Sequence, residues 1–106
     1  MLIVVSNDVS PQESTEKWQN LKDKLPPYIY DDTGALKEWA TTTFEENNEH
    51  RHLSHLYVAW PLFETQNNSG LKKASLQAIA NRTSENEASH ALVHRSLIAA
   101  RLKDSE

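Results

Sequence analysis

Three imidazoles and a guanidinium fall within six residues at His50-Arg51-His52-x-x-His55, in a chain with five His in all. His50, His52 and His55 could ligate zinc or copper through their ring nitrogens. The absence of a nearby Asp or Cys at ligand spacing weighs against that reading. The same side chains suit an anionic or hydroxyl-rich ligand, because Arg supplies a two-pronged donor and His supplies neutral or charged donors. They also fit a plain polar loop at a helix start. His90 and His94 are four residues apart and share one helix face. That pair could bind a metal, line a cleft or pack as satisfied core histidines. Glu85 and Glu87 stand at the start of the same helix. There the helix dipole favours the ionised carboxylate, which suits a base or water-positioner better than an acid. Helix capping is the competing reading, and for Glu87 the stronger one. Trp39, Tyr57 and Trp60 flank the His cluster, with Tyr28 and Tyr30 before it. Such rings stack on the apolar faces of sugars, and they are also ordinary core residues of a helical protein.

The elements that must position these residues are short. Ser10-Pro11-Gln12-Glu13 reads as a capping box with Pro at the first helical position. The spacing predicts a helix to about Lys24, with Trp18, Leu21 and Leu25 on one face. Leu25-Pro26-Pro27-Tyr28 ends it. The residues flanking Asp31-Asp32-Thr33-Gly34 predict a small hairpin or irregular loop. Residues 41–49 read as an acidic loop, followed by a short helix from Ser54 that Trp60-Pro61 cuts off. Asn67-Asn68-Ser69-Gly70 reads as another loop. Leu71, Ala74, Ser75, Ala78 and Ile79 make one narrow stripe on a helix over 71–80. A second capping box at Ser84-Glu85-Asn86-Glu87 predicts a helix from about Glu85 to Leu102. Its buried stripe is expected to hold Ala88, Ala91, Leu92, Leu97, Ile98 and Leu102.

Composition limits what these pieces can be. The chain has 106 residues, 38% of them hydrophobic, with a mean hydropathy of -0.68. That is a single domain with a thin supply of core residues. Eleven Lys and Arg against fifteen Asp and Glu give a net charge of -4. With no basic block, electrostatic nucleic-acid binding is not expected. No Cys is present, which excludes thiolate chemistry, a disulfide scaffold and Cys-based zinc sites. The longest apolar run, Leu2-Ile3-Val4-Val5, is too short to span a bilayer or to form a signal-peptide core. Only two Gly argue against a turn-dense β architecture. An all-α fold is expected.

Leu25-Pro26-Pro27-Tyr28, then Asp32-x-Gly34-x-Leu36-x-Glu38-Trp39, then His50-Arg51-His52-x-Ser54-His55-Leu56-Tyr57 resemble, in order and spacing, glycoside hydrolase family 95. The stretch ending Ala99-Ala100-Arg101-Leu102 looks like that family's next barrel helix. The similarity spans roughly residues 16 to 103, and the His-Arg-His-x-Ser-His-Leu motif is its specific part. The family holds α-L-fucosidases and related glycosidases built on an (α/α)6 barrel. A closed barrel of twelve helices at a typical ~11–12 residues each does not fit in this length. The chain, residues 1–106, is therefore expected to be a C-terminal part of such a catalytic domain, with irregular active-site loops. The remainder of the barrel would be its partner and a carbohydrate its substrate.

The resemblance implies an inverting mechanism, in which a Glu protonates the leaving oxygen and a water is activated on the opposite face of the sugar. The general acid and a pair of water-holding Asn residues lie, in the family, on motifs upstream of the Leu-Pro-Pro-Tyr segment and are not found here. The carboxylate partner of those Asn residues falls at Glu85, with Glu87 a close rival. Glu38, Trp39, His50, Arg51, His52, His55 and His90 take substrate-binding roles, with no cofactor, no metal and no membrane partner. Periplasmic or secreted localisation would follow from the family. Val58-Ala59-Trp60-Pro61-Leu62 and Ser89-His90 depart from the family's usual runs and point to a divergent subfamily acting on some other glycan. Without the acid motif, this chain alone is not expected to hydrolyse glycosides. The alternative is a small helical His-rich module that binds a metal or a protein.

Overall fold

The computed structural model describes residues 11–83 and 88–103. Helix α1 spans Pro11–Asp23, α2 spans Ser69–Ala80 and α3 spans Ser89–Leu102. Two 3-10 turns, Ser54–Val58 and Glu64–Gln66, sit between α1 and α2. The described residues contain no strand; an isolated antiparallel bridge joins Tyr30 to Leu36. The fold is all-α.

Helix α1 begins at the expected proline. Its end is closed by backbone bonds from Lys24 to the Leu21 carbonyl and from Leu25 to the Lys22 carbonyl, both 3.1 Å, before Pro26 and Pro27 forbid continuation. The face predicted to be apolar is open. Trp18 and Leu21 stay 36% and 45% exposed, and no side chain over 14–23 is buried. Helical spacing decides which residues share a face, but only a packed neighbour buries that face. Ser10, the expected cap, lies outside the described residues.

The expected small hairpin or irregular loop is a tight turn built on Asp31. Its Oδ1 accepts from the Thr33 N–H, the Thr33 hydroxyl and the Ala35 N–H at 2.8, 2.6 and 2.9 Å. Gly34 closes the turn at φ 83°, a left-handed conformation that glycine adopts without strain. The chain reverses there and drops Ala35 and Leu36 into the core.

Helix α2 starts two residues earlier than the apolar stripe implies. The Asn68 Oδ1 accepts from the Leu71 N–H at 3.0 Å and so caps the first turn. All five stripe residues, Leu71, Ala74, Ser75, Ala78 and Ile79, are buried. Helix α3 buries Ala91, His94, Ile98 and Leu102. Leu92 and Leu97, expected in that stripe, are 48% and 37% exposed. Positions 91, 94, 98 and 102 follow the 3.6-residue period along one line, and 92 and 97 lie off it. The first turn of the expected helix, residues 84–87, falls outside the described residues.

One core forms where α2 and α3 meet the irregular middle. Leu71, Ala74, Ala78 and Ile79 of α2 join Ile98 and Leu102 of α3, and Leu36, Leu53, Leu56 and Val58 close over them. Burial of Leu53 and Leu56 anchors the segment that carries the histidines. No described helix is long and apolar enough to cross a membrane.

Candidate active site

The His50–His55 segment is held from below by Leu53 and the adjoining Leu56, while His50, Arg51, His52 and Ser54 are exposed. The His52 N–H donates to His50 Nδ1 at 3.1 Å, and the two rings stand 5.2 Å apart. His52 is also 5.2 Å from His90 of α3, and His90 is 5.9 Å from His94 one turn along. Four imidazoles thus form a row running from the loop onto the helix. The row ends at two aromatic edges, Tyr57 at 5.3 Å and Trp60 at 5.6 Å from His94.

His94 is 5% exposed. Burial lowers its pKa, the Trp60 backbone partly offsets this, and the nearby His90 and His52 lower it further. Loss of water around the ring also lowers the pKa of His52, helped by Arg51, His50 and His90 and opposed by Glu38. Both rings are therefore neutral near pH 7, each with one donor and one acceptor nitrogen. Among the described residues, no group of three or more His, Asp or Glu is placed to hold a metal ion.

A cleft of about 250 Å³ is lined by Pro27, Tyr28, Glu38, Trp39 and His55. Trp39 is 46% exposed and meets the Phe44 ring edge-on at 5.4 Å. The Tyr28 hydroxyl donates to Glu64 Oε2. Burial, followed by the Glu64 carboxylate, pushes the Tyr28 phenol up and keeps it protonated. His55 is pushed down to about 4 by burial and then by Arg82, and its buried Nδ1 has no hydrogen-bond partner.

Glu38 joins the cleft to the row. Its Oε1 accepts from the Ser54 hydroxyl at 3.4 Å, and its Oε2 lies 3.6 Å from Arg82 Nη2. A mixed surface of imidazoles, a carboxylate and exposed aromatic planes suits polyhydroxylated rings. The family model for the glycosyl hydrolase family 95 catalytic domain matches residues 4–106. This chain belongs to glycosyl hydrolase family 95. No curated protein and no solved structure matches it.

The family 95 site residues expected from the sequence divide into four groups. His50, His52 and His90 meet in the imidazole row. Glu38, Trp39 and His55 line the cleft. Arg51 is exposed and, with His50, Arg82 and Arg95, rims a void of about 10 Å³. Glu85 and Glu87 lie outside the described residues.

Sequence reasoning missed Arg82. It stood only within Asn81-Arg82-Thr83, and no local pattern marks an Arg just past a helix as buried. His94, open to three readings, proves buried and closes the row. The helical spacing to His90 was the available signal.

Proposed function

We propose that this chain supplies the substrate-recognising surface of an α-L-fucosidase-like inverting glycosidase, as a C-terminal part of an (α/α)6 barrel. The imidazole row and the Trp39 cleft, joined at Glu38, carry this reading. Neutral, exposed His52 can donate to one sugar hydroxyl and accept from another, with His90 beside it on α3. Trp39 offers a plane for the apolar face of the ring, and Glu38 gives an acceptor between the two. Glu85 or Glu87 would position or activate the attacking water, while the acid that protonates the leaving oxygen comes from elsewhere in the catalytic domain. General acid–base participation is typically worth ~10²–10⁴-fold, so binding without that acid gives no useful turnover.

The test is an NMR titration of the imidazole and indole signals with L-fucose, L-galactose and L-arabinose. Saturable shifts at His52, His90 and Trp39 are expected with at least one sugar. The His90→Ala variant weakens binding about 2- to 10-fold, the scale of one hydrogen bond. Nitrophenyl glycosides are not hydrolysed. Absence of shifts with every sugar overturns the binding role. Turnover that disappears in Glu85→Gln or Glu87→Gln overturns the division of labour. Zinc raising the melting temperature without any sugar response favours a metal-binding module instead.

A further inference from the structure

The buried cation just past α2 reaches beyond Glu38 and His55. Arg82 is 5% exposed, held in place by its N–H bond to the Ile79 carbonyl at 3.1 Å. Its Nη1 donates to two carbonyls of the loop ahead of the histidines, Asn47 at 2.6 Å and His50 at 3.0 Å. Its Nη2 faces Glu38 Oε2 at 3.6 Å. The neighbouring Thr83 N–H adds a bond to the Asn48 carbonyl at 3.3 Å. A single guanidinium thus joins three segments: the end of α2, the loop over 47–50 and the bend at Glu38.

We infer that Arg82 is the positioning residue of the saccharide-binding surface, fixing His50 and His52 against α3 while holding Glu38 between row and cleft. This rests on the proposed function for its purpose, though not for its geometry. The loop that carries His50 is otherwise tied mostly within itself. The His50 and Glu49 N–H groups reach back to the carbonyl and Oδ1 of Asn47 at 3.1 and 3.3 Å, the Thr83 N–H bonds the Asn48 carbonyl, Leu53 is buried three residues further on, and His50 itself is exposed. Fixing the His50 carbonyl fixes the backbone one residue before Arg51 and two before His52. The planar fork is required. A guanidinium can serve two carbonyls and a carboxylate from separate nitrogens, whereas an ammonium is one point that cannot reach all three.

The experiment compares the full chain with Arg82→Lys and Arg82→Met by NMR of the imidazole signals, first without sugar. In Arg82→Lys the buried charge persists, so His55 keeps its depressed titration, while His50 and His52 signals move and the His52–His90 ring contact weakens. In Arg82→Met the His50 and His52 changes recur and the His55 titration rises only part of the way, because burial, the larger cause of its depression, remains. A purely structural role would not separate charge from fork in this way. If Arg82→Met does not fold, Arg82→Lys decides the matter. Sugar affinity in Arg82→Lys falls about tenfold with the melting temperature largely kept, the scale of losing hydrogen bonds from a charged donor. Unchanged His50 and His52 signals in folded Arg82→Lys overturn the inference, as does full sugar affinity in that variant. Because the first readout involves no sugar, its failure is distinguishable from failure of the glycosidase reading, which would show as intact His shifts without a saccharide response.

Discussion

His55 is the residue whose environment has the clearest consequence in solution. Unfolded, its imidazole titrates near the ordinary 6.5; folded, it titrates near 4 because burial and then Arg82 disfavour the cation. Between those values the unfolded chain binds more protons than the native one, so stability rises with pH across this window. The contribution is fully present above 6.5 and is lost as pH falls toward 4. At about 1.4 kcal/mol per pKa unit, the loss is on the order of 3 kcal/mol. His94 and His52, also depressed, act in the same direction. Urea unfolding at a series of pH values should show a falling midpoint from pH 7 to 4. The fall should be smaller in His55→Gln, and equal slopes in both proteins would contradict this assignment. The His cluster was legible in the sequence because residue type and spacing are local facts. Arg82 was not, because its burial depends on two loops and a helix end meeting in space.

At the scale of elements, α2 was readable and α3 only in part. A stripe at i, i+3, i+4, i+7, i+8 on α2 left one face to bury, and that face is the one buried. Along α3 apolar residues surround much of the helix, so composition alone did not choose between two faces. The structure chooses 91, 94, 98 and 102 and leaves Leu92, Val93 and Leu97 exposed. The start of α2 was missed because its signal is a polar cap, Asn68, rather than an apolar residue. Three substitutions separate the two faces of α3. Leu92→Lys and Val93→Glu should each change unfolding free energy by no more than about 0.5 kcal/mol. Ile98→Ala, at a fully buried position, should cost about 2–5 kcal/mol. Chemical denaturation measures all three. A large loss at Leu92 would mean that the buried face has been misassigned.

Across the whole molecule, the Cα radius of gyration is 15.4 Å and the extents are 46 × 29 × 24 Å. A compact chain of this length has a radius near 13 Å. Helix α1 adds reach without burying any side chain over 14–23. Trp18 and Leu21 on that helix, and Leu92, Val93 and Leu97 on α3, are apolar surface that the proposed remainder of the catalytic domain would cover. The family and the all-α class were both readable before any coordinates, from one motif and from the scarcity of glycine. The open face of α1 was not, because periodicity cannot say whether a partner is at hand.

That open helix also sets an order of attack by proteases. Cleavage needs a stretch of backbone drawn out straight in the enzyme's groove, and the segment that opens at least cost is cut first. Lys17, Lys22 and Lys24 are exposed on or just beyond α1, whereas Arg82 is sealed beneath the loop it anchors. Brief trypsin treatment followed by mass spectrometry should therefore trim the chain as far as Lys24 before any cut after Arg82 appears. The trimmed product should retain the imidazole signals of the uncut protein, because every contact in the row is made by residues beyond 49. Early scission after Arg82 would show that the sealed guanidinium opens as readily as α1.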